Sequence, residues 1–251
     1  MTIGIQSKDV SFKYLHTDHP FLKHIDLSVQ VGECILIGGA SGSGKTTFSR
    51  LLNGISPNYI EGELTGELST FDLKAGVAEI EEYVTTVGSV FQNPKTQHFT
   101  VNTTSELAFP LENIGAEPAF IEIQVNNKAE AFQVKHLLDR NIFELSGGEK
   151  QQIAFVSANM LEPKVLILDE VTSNLDQEAI LRIRQMVQEL KQRDMTIIIF
   201  EHRLAWTKGL VDRYVFFEDG RIKNDWTFEE FNQFSNEELN RLGLRSMDLT
   251  N

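Results

Sequence analysis

The sequence predicts an α/β fold with a mainly parallel core sheet, an antiparallel β-subdomain and a helical subdomain. Three observations carry that prediction. Val165-Leu166-Ile167-Leu168 and Thr196-Ile197-Ile198-Ile199-Phe200 are short, β-branched, apolar runs between helix-like segments, the pattern of parallel strands buried on both faces. Ile3 to Tyr14 and Ile25 to Val31 instead alternate apolar and polar residues, as half-buried strands do. Ser105 to about His136 is helix-rich and carries Pro110, Gly115 and Pro118 as breaks, which suggests a smaller helical unit inserted in the core.

Taken in order, residues 1–30 and 60–80 supply the antiparallel part, with Glu61 to Leu73 reading as a further strand around Gly62 and Gly66. Val31-Gly32-Glu33 turns the chain into a strand from Cys34 to Gly38, followed by a glycine-rich loop and a helix over Phe48-Ser49-Arg50-Leu51-Leu52. Val84 to Phe91 is a strand ending at Gln92-Asn93-Pro94, and the helical insert runs from roughly 95 to 160. Residues 177–193 form a helix whose stripe Ile180, Ile183, Met186, Val187 and Leu190 belongs to the core. Val215 to Ile222 is a hairpin around Asp219-Gly220. The division expected is a main domain of residues 1–225 and a short tail of 226–251, helical from Phe228 to Leu242, packing outside the core or contributing to a dimer.

A chain of 251 residues buries a good core in one large or two small domains. Its formal net charge of −13 disfavours nonspecific nucleic-acid binding, which needs a basic face to displace counterions, although a local basic patch stays open. The single cysteine, Cys34, rules out an intramolecular disulfide and reads as a buried, inert thiol. Met1 to Lys8 lacks the basic-then-apolar layout of a secretory signal, and no apolar run approaches the roughly 18–20 residues that cross a bilayer. The expectation is a soluble intracellular protein whose membrane role, if any, comes through a partner.

The chemistry sits in two places. Gly39-Ala40-Ser41-Gly42-Ser43-Gly44-Lys45-Thr46 fits the phosphate-binding pattern G-x-x-x-x-G-K-[ST] in full, between a strand and a helix as that pattern requires. Its glycines let successive N–H groups and the positive helix end point at phosphate oxygens, with Lys45 in reach of the β- and γ-phosphates and the Thr46 hydroxyl able to ligate Mg²⁺. Asp169-Glu170 ends a buried strand, where ligands bind in parallel sheets. Asp169 is then placed to hold Mg²⁺ opposite Thr46, and Glu170 to orient or deprotonate an attacking water. A Gly/Ser turn before an ordinary helix, and a surface Asp-Glu pair acting as a helix cap, are the bland alternatives. Their joint occurrence in this order speaks against both. Ser146-Gly147-Gly148-Glu149 precedes a helix from Lys150 to Met160 and exposes backbone N–H groups as a second anion site, the plainer alternative being a glycine turn that caps a helix. His16, His19, His24, His98 and His136 show no metal spacing and read as surface or loop residues, whereas His202 follows a buried strand at the edge where Asp169-Glu170 emerges.

These segments together resemble the ATP-binding-cassette (ABC) ATPases, over nearly the whole chain and in the family's order. Gly39 to Thr47 match the Walker A loop, Gln92 the Q-loop, Leu145 to Glu149 the signature, Leu166 to Glu170 Walker B, Ser173 to Asp176 the D-loop and His202 the switch histidine. The resemblance implies a P-loop NTPase fold of the ABC-ATPase type, with ATP and Mg²⁺ as cofactors. It implies Tyr14 against the adenine ring, Mg²⁺ on Thr46, Gln92 and Asp169, and hydrolysis by Glu170, His202 and Gln92. It further implies that Ser146, Gly147, Gly148, Glu149 and Asp176 face ATP across a dimer, the signature of one subunit closing over ATP held by the other. Val171 stands where the family usually has proline, and Gln152 where arginine is common. The turn after Glu170 is less rigid for that, but no catalytic atom is lost.

Within the family, Phe91-Gln92-Asn93-Pro94, Gln97, Phe99, Glu106, Ala108-Phe109 and Glu112-Asn113 resemble the ATPases of energy-coupling-factor (ECF) and cobalt-type importers. Glu201-His202-Arg203-Leu204 resembles a branch of that group often found as tandem cassettes, and the tail Leu239 to Arg245, with Leu242-Gly243-Leu244-Arg245, resembles the group's C-terminal segment. That resemblance implies a cassette peripheral on the inner face of the membrane, paired with an identical or different cassette. Its partners would be a transmembrane coupling protein and a membrane protein that binds a vitamin or metal ion. The rival readings are a soluble ABC ATPase acting on DNA or ribosomes and a nonhydrolytic regulatory module. The acidic, single-cassette chain disfavours the first, and the retained Glu170 and His202 disfavour the second.

Overall fold

The computed structural model describes residues 2–93 and 97–241; Pro94, residues 242–251 and with them the motif Leu242-Gly243-Leu244-Arg245 lie outside these. Chain order is β1 (Ile3–Tyr14), β2 (Leu22–Gln30), β3 (Cys34–Gly39), α1 (Lys45–Leu52), α2 (Ile55–Asn58), β4 (Gly62–Thr70), β5 (Leu73–Lys74), α3 (Ile80–Tyr83), β6 (Val87–Val90), α4 (Thr103–Asn113), α5 (Pro118–Ala131), α6 (Gly147–Ala158), β7 (Val165–Asp169), α7 (Gln177–Lys191), β8 (Thr196–Phe200), β9 (Arg213–Glu218), β10 (Arg221–Thr227), α8 (Phe228–Phe231) and α9 (Asn236–Arg241). Two sheets result. The antiparallel one is ordered β2-β1-β4-β5, and the central one β10-β9-β3-β8-β7-β6, parallel except for the β9–β10 hairpin.

Strand register explains how the central sheet serves two cores. Leu36, Leu166, Leu168, Ile197 and Ile199 turn to one face, where they pack with the helices of the 103–158 segment. Ile35, Ile37, Val165, Ile167, Ile198 and Phe200 turn to the other, against α1 and the antiparallel sheet. Successive residues of a strand point to opposite faces, so a strand covered on both sides must be apolar throughout. Leu107, Leu111, Val125, Phe132, Leu137 and Phe155 are continuous with the first core, so the helical segment rests directly on the sheet. Cys34 is buried and free; burial pushes its thiol up to about 12, as an inert core position requires.

Four expectations need correcting. Pro110 does not break the helix; α4 runs through it to Asn113, and the break falls at Gly115, at φ 73°. The Glu106 carbonyl, deprived of the proline N–H four residues on, accepts instead from the Ser157 hydroxyl at 3.3 Å. The tail is two short helices and not one, because Thr227 and Ser235 each start a new cap with a glutamate three residues on. Nor does it lie outside the core: Phe231 stacks on Tyr214 at 3.9 Å, and Leu239 is fully buried. His98 lies in a loop, as expected, although its side chain is only 6% exposed and its Nδ1 is 3.4 Å from the buried carboxylate of Glu106. The strand expected over Val84 to Phe91 is trimmed to Val87–Val90 by the helical turn before it.

Candidate active site

Three neighbouring parallel strands deliver the site to one sheet edge. Phe200 of β8 lies opposite both Ile37 of β3 and Asp169 of β7, so their chains leave the sheet side by side. From β3 comes the phosphate loop, from β7 the Asp169-Glu170 pair, and from β8 the segment Glu201-His202. Carboxyl ends of adjacent strands are where parallel sheets leave room for a ligand.

The loop from Gly39 to Thr46 is shaped by glycine backbone. Gly39, Gly42 and Gly44 have φ of 145°, 80° and 106°, conformations that a side chain rarely allows. Its outer wall is the β9–β10 turn, where Gly220 N–H donates to the Ser43 carbonyl at 3.0 Å. Lys45 is buried, and its Nζ donates to the carbonyls of Gly39 and Ala40 at 2.8 and 3.0 Å. Burial lowers its pKa; Glu170, Asp169 and Glu201 pull it back up. Ala40, Ser41, Gly42 and Thr46 are exposed, so the loop opens outward. The Ser43 hydroxyl is buried without a hydrogen-bond partner, an orphan donor that fits a phosphate oxygen. Thr47 is buried and shares a 2.8 Å hydrogen bond with the Tyr14 hydroxyl. Tyr14 in turn meets Phe21 edge to face at 5.0 Å, which sets an aromatic wall beside α1.

Opposite the loop, Asp169 is 9% exposed, and burial followed by the charge of Glu170 pushes its carboxyl up to about 6. Asp169, Glu170 and the exposed Thr46 hydroxyl of the loop are hard oxygen donors, the kind that suits a magnesium ion bound by few protein ligands plus phosphate. Glu170 adopts a left-handed φ of 49° and is held by its N–H to the Phe200 carbonyl at 2.8 Å. Non-glycine residues in that region cost of order 1–3 kcal/mol and cluster at functional sites. Its Oε1 lies 2.8 Å from His202 Nε2. Sequence-distant residues, 32 positions apart, thus meet as an acid–imidazole pair.

The signature residues take other posts. Ser146 caps α6, its hydroxyl accepting from Glu149 N–H at 3.2 Å while Glu149 accepts from Ser146 N–H at 2.7 Å and from Arg140 at 3.1 Å. Asp176 likewise caps α7 through Ala179 N–H at 2.8 Å. Gly148 is required by packing, since a Cβ there would come within 2.5 Å of Ala179, whereas a Cβ on Gly147 would meet only Leu175 at 3.9 Å. Gly147 instead lines a cleft of about 660 Å³ with Gln92, Asn93, Ser173 and Leu175. None of the residues lining it comes from the phosphate loop. Residues of the signature, Q-loop and D-loop thus share one opening.

Glu201 escaped the reading of individual residues, appearing only within a resembling segment. It is 1% exposed and hydrogen-bonded on both carboxylate oxygens. The signal was present: a charge directly after four apolar strand residues, Ile197 to Phe200, needs buried partners. Gln97 is a second case, accepting from Phe91 N–H at 3.0 Å and donating to the Ser89 carbonyl at 2.9 Å, so it splints the free edge of β6.

Comparison with known proteins agrees with this geometry. The family model for ABC transporters matches residues 22–173. An ABC transporter ATP-binding protein of Treponema denticola is 39% identical over 98% of this chain and 50% of its own length, and one of Pyrococcus abyssi is 37% identical over 96% and 86%. The chain spans about half the length of the first of these curated relatives. Among solved structures, cbiO1 of Clostridium perfringens, part of the ABC transporter complex cbiONQ, superposes with a TM-score of 0.82 at 26% identity, over 96% of this chain and 94% of its own. The chain belongs to the ABC transporter family, whose ATP-binding domains bind and hydrolyse ATP.

Proposed function

We propose that this chain is the ATP-hydrolysing cassette of an ECF-type importer, working as a dimer beneath a transmembrane coupling protein to drive uptake of a vitamin or metal-ion-like micronutrient. The observation that carries the hydrolytic reading is the pair Glu170–His202, 2.8 Å apart, at the sheet edge that also carries Lys45. In this reading Lys45 leaves the loop carbonyls for the β- and γ-phosphates, and Tyr14 flanks the adenine. Thr46, Asp169 and Gln92 would hold Mg²⁺, which neutralises charge on the β- and γ-phosphates when bound. With Nε2 donating, His202 occupies Oε1 of Glu170 and leaves Oε2 to take the proton of the attacking water. Glu170→Gln keeps the shape and loses the base, so turnover should fall roughly 10²-fold or more while ATP still binds. Near-normal hydrolysis by that variant would sink the assignment.

The transport reading draws on the likeness to cbiO1, on the ECF-like residues around Gln92, and on an apolar surface nearby. Phe99 and Phe143 are each 74% exposed, and Phe99 stacks on Phe109 at 5.0 Å. No helix among the described residues is long and apolar enough to cross a membrane, so attachment would come through that surface and a partner. Affinity purification from detergent-solubilised membranes tests this. A multispanning coupling protein and a small membrane protein should come down with the cassette, their loss in Phe99→Asp, Phe143→Asp marking the surface. Recovery with ribosomes or DNA instead would favour a soluble ABC ATPase.

A further inference from the structure

We infer that Glu201 is a positioning residue that staples the turn after Glu170 to the switch segment carrying His202, doing for this chain what a rigid turn residue at position 171 would otherwise do. The inference rests on Glu170 and His202 acting as the hydrolytic pair. Each oxygen of the Glu201 carboxylate serves one side. Oε1 accepts from the Thr172 hydroxyl, a very short contact, and from Thr172 N–H at 3.4 Å. Oε2 accepts from the backbone N–H of His202 at 2.8 Å and of Arg203 at 3.3 Å. Arg203 returns the grip, its guanidinium donating to the Thr172 carbonyl at 3.4 Å. All three polar groups of Thr172 are therefore held by residues 201–203. Thr172 and Glu201 are buried at 0% and 1% exposure, which keeps water from replacing these bonds.

The staple acts where stiffness is most needed. Glu170 holds a left-handed backbone, and the next residue is Val171, which lacks the fixed φ of a proline. A buried carboxylate bonded on both oxygens locks two chain segments into one register, as charge-assisted hydrogen bonds in a dry site do. Displacing Glu170 by about 1 Å from its water is enough to cost on the order of 10²-fold in rate. The Glu201 carboxylate is 1% exposed and hydrogen-bonded to Thr172, His202 and Arg203, so its loss should appear in turnover more than in binding.

The test combines Glu201→Gln, Thr172→Val and their double variant with Thr172→Ser, which keeps the hydroxyl. Glutamine can accept on one side only and turns an NH₂ toward donors on the other. Expected are kcat decreases of roughly 10-fold or more for Glu201→Gln and Thr172→Val, with ATP affinity changed less than about threefold. The double variant should fall no further than the worse single, and Thr172→Ser should keep most of the rate. Unchanged kcat in folded Glu201→Gln, multiplicative losses in the double variant, or equal losses in Thr172→Ser and Thr172→Val would overturn the staple. Should Glu201→Gln fail to fold, the Thr172 pair decides by itself. Glu170→Gln measured alongside separates the two readings: full activity there defeats the hydrolytic pair, whereas its inactivity beside an unaffected Thr172→Val defeats only the staple.

Discussion

At the scale of single residues, the site is made of groups that burial has set against one another. Lys45 is the clearest case, a buried cation resting on two carbonyls of its own loop. Charge-assisted hydrogen bonds contribute about 1.5–3 kcal/mol each. Lys45→Ala should therefore weaken ATP binding by roughly 10–100-fold with an unchanged circular dichroism spectrum; unchanged affinity in equilibrium dialysis would tell against the loop. Glu106 works at the other end of the Q-loop. Burial alone would raise its pKa, but the neighbouring His98 and hydrogen bonds from the N–H and hydroxyl of Thr100 outweigh that and hold it below the usual range. A carboxyl with a depressed folded pKa adds stability above its unfolded pKa of about 4.3 and loses it as pH falls through the folded value. Glu106→Gln should thus be less stable than the parent protein near pH 7, the gap closing as pH drops below about 4. Urea titrations at several pH values would read this, and a gap that widens on acidification would contradict it.

At the scale of elements, turns fix what the strands present. Gly220 has φ 76°, donates to the Ser43 carbonyl and lies so close to the Phe21 carbonyl that a Cβ would come within 2.2 Å. Gly220→Ala should cost at least about 1–2 kcal/mol from the left-handed backbone alone, and should lower ATP affinity by shifting the wall of the phosphate loop. A variant of unchanged denaturation midpoint and affinity would show that the turn does not brace the loop. The same elements show what could be read in advance. The uniform apolar runs of β7 and β8 announced a sheet covered on both faces, and the pattern at residues 39–46 announced a glycine-shaped loop between a strand and a helix, because short-range pattern dictates both. The 2.8 Å contact of Glu170 with His202 was foreseen only as a common edge, since strand register joins residues 32 positions apart. The continuous α4 was missed because the hydroxyl that satisfies the Glu106 carbonyl comes from Ser157, 51 positions away. The break in the tail is local, set by the caps at Thr227 and Ser235, whereas its packing is not, since Phe231 meets Tyr214 only through the tertiary fold.

At the scale of the whole molecule, the signature opening and the phosphate loop are lined by different residues, and in the proposed function a second chain brings them together. The signature opening is lined by Gln92, Gly147 and Leu175 and holds no residue of the phosphate loop. In the proposed dimer, Ser146 and Gly147 of one subunit face the γ-phosphate held by Lys45 of the other. Ser146 is exposed, so an arginine there is accommodated in the single chain, at the cost of one helix cap worth about 1 kcal/mol. Across the dimer its bulk would clash with the partner's nucleotide. Ser146→Arg should therefore still bind ATP, as that site needs only one chain. Glu170→Gln should elute as a dimer in size-exclusion chromatography with ATP and Mg²⁺, because bound ATP is no longer consumed and the closed state accumulates. Ser146→Arg, Glu170→Gln should elute as a monomer under the same conditions. Should the double variant remain a dimer, the signature does not close on a neighbour's nucleotide. The sandwich mechanism would fall first, and the importer reading with it, because closing and opening of that dimer is the motion that would drive the membrane partner.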